Sequence, residues 1–254
     1  MANQDFITIS EADCLILYKK VLKNSDNKWS LAESLASKKE YGFAIPTLII
    51  SIEELIKSII ILLDGNGLKF RQVKGVSIFF KNHQIRFIIA YLLLLINLFA
   101  EDLIKFIKLI GKDVKIVLDF QNSIIKNNDD FNKMVLYYID QKSAALKIEF
   151  EYFSKLEKLR QEGFYCDYDD TFKNPLDINE TDYNELYLRL SKVRKIGFMI
   201  IESYSSNNEE SKSQIEMLKN TLKEVDFYNK FGDVLNKINK TKTRDPFDFI
   251  KSQL

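Results

Sequence analysis

Residues 43–63 read FAIPTLIISIEELIKSIIILL. Apolar side chains fall on nearly every face of a 3.6-residue period, and strand-like alternation never persists for more than a few residues. A helix that is apolar all round is a buried helix. Glu53, Glu54 and Lys57 stand in its middle. Charges there are costly in lipid, which favours the core of a soluble protein. A buried carboxylate in turn needs a partner. Pro46 fits the first helical turn, where its missing N–H costs little. The stretch therefore predicts a central core helix from about Pro46 to Leu63 with a polar cluster inside it. Asp64-Gly65-Asn66-Gly67 ends it.

Outward from this helix, helical periods continue. Ser10 can cap a helix from Glu11 to about Lys23, with a polar turn at Asn24–Lys28. Ser30-Leu31-Ala32-Glu33 fits a capping box that opens a helix to about Lys39. Gly42 marks a break or a close helix contact. Downstream, about Ile78 to Ile110 forms a long helical pattern. Its most apolar run, Phe87 to Ala100, is shorter than the ~17–25 residues that span a bilayer, and Asn97 interrupts it. It reads as a buried helix without stable membrane insertion. Val114–Lys126 and Phe131–Glu162 read as two further helices, the second ended by Gly163. Residues 164–175, FYCDYDDTFKNP, read as irregular. Asn179 or Thr181 caps a helix to about Tyr204, and a last helix runs from about Lys212 to Lys240. The fold class is all-α, an irregular helical bundle. Residues 1–206 form its body. Residues 207–254 add a C-terminal helix and tail, packed on that body or on a partner.

Composition narrows the chemistry. The 37 basic and 36 acidic residues leave a net charge of +1, so no broad positive surface exists to grip nucleic acid. The chain has 8 Gly, 2 Cys and a single His. Gly-rich phosphate loops, disulfide scaffolds and His/Cys zinc sites lack their raw material, and no cofactor is expected. Cys14 and Cys166 belong to no C-x-x-C pair, and the N-terminus MANQDFITISEAD has no secretory pattern. Both point to a reduced, cytoplasmic protein. Lys outnumbers Arg 31 to 6, so each Arg is a candidate for a planar, bidentate contact.

Three constellations carry chemistry. Glu53 and Lys57 are four residues apart, and Glu54 and Lys57 three, which on an exposed helix would be a surface ion pair. Within an apolar helix they become a candidate polar site. His83, the single His, has Arg86 on its own helix face three residues later. Imidazole suits acid–base work near neutrality, although a lone His is often structural. Arg160 closes a long helix, where its charge complements the helix dipole. Tyr165, Cys166, Asp167, Tyr168, Asp169 and Asp170 follow and can line a pocket. The three acids lack the spacing of a calcium loop, and no metal is expected.

At these places the chain resembles the AbiV family of abortive infection proteins, whose domain is HEPN-like. The resemblance lies in AESLASKKEYGFAIPTLIISIEELIKS, then FFKNHQIRF, then KLRQEGFYCDYD followed by Asn174-Pro175, and spans about residues 28–204. It implies a HEPN-like bundle in bacterial defence against phage. It further implies a homodimer and a toxin that inhibits translation or cleaves RNA, with a phage protein as activator. Carried onto this chain, the catalytic candidates are His83, Arg86, Glu54 and Arg160. Lys57, Glu53, Tyr165 and Asp167 are the substrate-binding candidates. HEPN ribonucleases usually carry Arg four to six residues before His. Here the nearest upstream Arg is Arg71, and Arg86 follows the His instead. The alternative is a non-enzymatic dimeric interaction protein in which the polar cluster is an internal brace.

Overall fold

The computed structural model describes residues 9–73, 76, 82–110, 142, 144–169, 171–206, 208–224 and 226–240. Helix α1 spans Glu11–Ser37. The Ser10 hydroxyl accepts from the Asp13 N–H at 3.1 Å and caps its start. Its buried residues Cys14, Tyr18, Ser25, Trp29 and Ala32 are spaced by one or two helical turns, the stripe of a helix packed on one side. The expected turn at Asn24–Lys28 does not form, and Ser30 lies in the helix interior. Polar residues there lie on a helix that is already anchored, because Ser25 is buried against the next helix. The helix stops at a Schellman turn with Lys39 at φ 64°, where Glu40 N–H reaches Leu35 O at 3.0 Å.

Helix α2 spans Tyr41–Gly65 and returns antiparallel along α1. Small residues draw the two backbones together. Ser25 Oγ donates to Ser51 O at 2.8 Å, Ser51 Oγ to Ser25 O at 2.9 Å, and Ser58 Oγ to Tyr18 O at 3.1 Å. The helix begins five residues before Pro46, so the proline sits inside it, and Gly42 marks a close contact within the helix, not a break. Leu48, Leu55, Ile61 and Leu62 are fully buried, which makes α2 the axis of the bundle.

Helix α3 covers His83–Ile110. The residues 78–82 expected as its first turn are either outside the described residues or, for Asn82, outside the helix. The expected helix over 114–126 and the start of the one over 131–162 also fall outside them. What is described of the latter is helical residues 144–154, a turn at Lys155, and α4, Leu156–Phe164. The segment expected to be irregular contains a short antiparallel pair, Asp167–Asp169 with Thr171–Lys173. Helix α5, Glu180–Ser205, starts at an Asn179/Asp182 capping box and packs against both α2 and α3. The expected last helix is two, α6 Glu209–Glu224 and α7 Phe227–Lys240, broken at Asp226 with φ 51°. Phe227 and Tyr228 of α7 pack on Phe70, and Tyr228 Oη donates to Leu68 O. Among the described residues no helix is long and apolar enough to cross a membrane.

Candidate functional site

The polar cluster of α2 meets the first turn of α3. Glu53, 2% exposed, points from the middle of the core helix to His83 and Arg86. Asn82 fixes the start of α3, its side-chain oxygen accepting from the Gln84 N–H at 2.9 Å. A three-residue step then brings His83 and Arg86 onto one face. His83 Nδ1 lies 2.9 and 2.8 Å from the two Glu53 oxygens. Arg86 Nη2 donates to Glu53 Oε2 at 2.8 Å and lies 2.7 Å from His83 Nδ1.

The three side chains differ in exposure. Those of Glu53 and Arg86 are 3% and 2% exposed, and that of His83 is 40% exposed. Burial pushes the Glu53 carboxyl up, but the His83 hydrogen bond and the Arg86 charge outweigh it and hold the group below its ordinary value. Glu53 accepts from Nδ1 whereas the Arg86 guanidinium beside it can only donate, so the two contacts ask for opposite tautomers, and the two carboxylate oxygens at 2.9 and 2.8 Å favour the one with its proton on Nδ1. The lone pair of the neutral ring is then on Nε2. Among the described residues, no hydrogen bond engages Nε2. A buried acid, an oriented imidazole and an outward base is a competent arrangement for proton abstraction.

Arg160, on α4, is close enough for the Glu53 carboxylate to act on its charge. Glu157 holds it in a fork, Nε to Oε2 at 3.1 Å and Nη2 to Oε1 at 2.7 Å. The Glu157 hydrogen bond is the main reason the guanidinium is held even more firmly charged than usual, and the Glu53 carboxylate adds to it. Tyr165, just past the end of α4, is 66% exposed. Asp167 lies on the first short strand.

Of the two adjacent glutamates, Glu53 meets His83. Glu54 bonds instead to Lys57 at 2.7 Å and to Asn24 of α1 at 3.0 Å. Helix geometry explains the split, because consecutive residues point about 100° apart. Arg71 serves a different buried pair, bonded to Asp64 and to Ile9 O at 2.9 Å. The Arg that attends His83 is therefore Arg86. Among the described residues, no group of three His, Cys, Asp or Glu side chains is placed to hold a metal ion. Glu157 escaped the sequence reading because an acid three residues before an Arg resembles any helix-surface pair.

A glycine contact seats α4. A Cβ on Gly163 would fall 2.4 Å from Gly42 O and 2.6 Å from Pro46 Cδ. Pro46 has no N–H to offer the Gly42 carbonyl four residues earlier, so that oxygen is open to this approach. A Cβ on Gly42 would in turn fall 2.2 Å from Pro175 O. Gly163→Ala is expected to cost about 2–3 kcal/mol in urea unfolding, because overpacking shifts backbone. Unchanged stability would show that the close approach is not required.

The AbiV family model, a HEPN-type domain, matches residues 13–195. That span takes in most of α1, all of α2, α3 and α4, and the greater part of α5, with every candidate position between. No curated protein and no solved structure matches the chain.

Proposed function

The chain belongs to the AbiV family of HEPN-type helical proteins, and on that premise we propose that it arrests growth during phage infection by acting on RNA at the Glu53–His83–Arg86 centre. Family membership points to abortive-infection defence. The observation that carries the finer reading is the half-exposed His83 ring with its Nδ1 against a buried carboxylate.

The chemistry follows from residue types. His83 Nε2 takes the proton of a ribose 2′-OH. The 2′-oxygen attacks the adjacent phosphorus, the P–O5′ bond breaks, the departing 5′-oxygen takes a proton from water, and protonated His83 returns its own to solvent. The products are a 2′,3′-cyclic phosphate and a 5′-hydroxyl. Arg160, partly exposed beside the centre, stabilises the charge that builds on the phosphorane oxygens. Arg86 is too buried to leave Glu53 and acts by holding the carboxylate in place. The reversed order of His and Arg along the chain is no obstacle on a helix. A residue three positions after the His meets it as well as one placed before it. A homodimer, a cytoplasmic location and activation by a phage protein belong to the same proposal.

Phage challenge of cells carrying the chain tests it, with total RNA and protein synthesis followed in parallel. The expected result is a fall in protein synthesis with RNA fragments ending in 2′,3′-cyclic phosphate. Arrest with intact RNA would favour sequestration of the translation apparatus. Unimpeded growth and phage yield would overturn the defence reading.

A further inference from the structure

The charges about the centre cancel. Lys57 is matched by Glu54, Arg86 by Glu53 and Arg160 by Glu157, each at 2.7–2.8 Å. A phosphodiester that engages one of these three cations must take it from its carboxylate. The three pairs do not yield equally. Arg86 and Glu53 are 2% and 3% exposed, so parting them strands two buried charges. Glu54 and Glu157 are each held by one further amide, Asn24 and Gln161, but Lys57 offers a phosphate a single ammonium where Arg160 offers a fork. Arg160 and Glu157 are 19% and 21% exposed. Their carboxylate can turn into water at little cost, and a phosphate offers the same two-oxygen geometry to the guanidinium fork.

We propose that Glu157 is a displaceable latch that occupies the Arg160 fork in the resting protein, at the position the substrate phosphodiester takes on binding. The proposal rests on the RNA reading above. It assigns to α4 a built-in competitor that keeps the site closed to stray anions and weakens RNA binding until enough contacts accumulate to displace it. Gln161, whose Nε2 donates to Glu157 Oε1 at 2.9 Å, steadies the latched state.

The test uses the full chain and a fluorescent 2′-O-methyl RNA hexanucleotide, which lacks the attacking hydroxyl and stays intact. Binding is read by fluorescence anisotropy at fixed salt, with melting temperatures confirming that each variant is folded. E157Q is expected to bind about tenfold more tightly than wild type, the effect of removing one charged competitor. R160Q is expected to bind more weakly. In the R160Q background, E157Q should have almost no effect, because the latch acts only through Arg160. Equal tightening in both backgrounds would reduce the effect to general charge and overturn the latch. Unchanged or weaker binding by E157Q would overturn it too, making Glu157 a brace that aims Arg160. In either case wild-type binding that is lost in R160Q leaves the RNA reading standing. No binding by wild type and E157Q alike would overturn the RNA reading and the latch together.

Discussion

Replacing His83 with Ala is expected to abolish protection against phage while the protein stays folded. A positioned acid–base group contributes roughly a hundred- to ten-thousand-fold to a rate. No other His exists in the chain to take over. The structural cost is small. The ring is 40% exposed, and Glu53 keeps its Arg86 bonds at 2.8 and 3.3 Å when the ring is gone. A loss of about 1 kcal/mol is expected, less than the ~1.5–3 kcal/mol of a hydrogen bond to a charged group because water screens the partly exposed ring. Phage plating efficiency reads the first effect and urea unfolding the second. Full protection by His83→Ala would remove His83 from the mechanism. Lost protection together with an unfolded protein would make the polar cluster a brace, as in the non-enzymatic alternative.

Glu53→Ala is expected to act in the opposite way, through stability. It leaves the Arg86 guanidinium, 2% exposed, without its carboxylate and opens a gap in the central helix. Breaking one side of a buried ion pair costs about 3–5 kcal/mol. Replacing Glu53 and Arg86 together with Leu and Met should recover much of that, since neither charge of the pair then remains buried. A double variant as unstable as the single one would count against this account. The same group gives a pH signature. The Glu53 carboxyl is held below its ordinary value of 4.5, so its contribution is present above that value and is lost as pH falls through the lower, folded value. The stability gap between wild type and Glu53→Gln should therefore be constant near neutrality and shrink in acid. A gap that does not change with pH would mean that the His83 and Arg86 contacts do not hold the carboxylate charged.

Much of the fold was legible because helices are written locally. The apolar stretch at 43–63, the Ser10 and Asn179 caps and the three-residue step from His83 to Arg86 each depend on neighbours within one or two turns. The misreadings share one cause. Asn24–Lys28 looked like a turn and 212–240 like one helix, yet the first is held helical by Ser25 against Ser51 and the second breaks at Asp226. In both places packing or a single backbone dihedral outweighed local propensity.

The site divides along the same line. Sequence alone determined which residue types were present: one His, six Arg, and carboxylates inside an apolar helix. It also placed them in three ordered motifs. It could not tell Glu53 from Glu54, because the choice depends on which face of α2 meets α3. It set Arg86 beside His83 through their three-residue step but could not single out Glu157. Those assignments depend on distances between helices brought together by Gly42, Pro46 and Gly163. Helix formation is settled by residues near in the chain. Which charge faces which is settled by how helices pack, and only the tertiary structure carries that information.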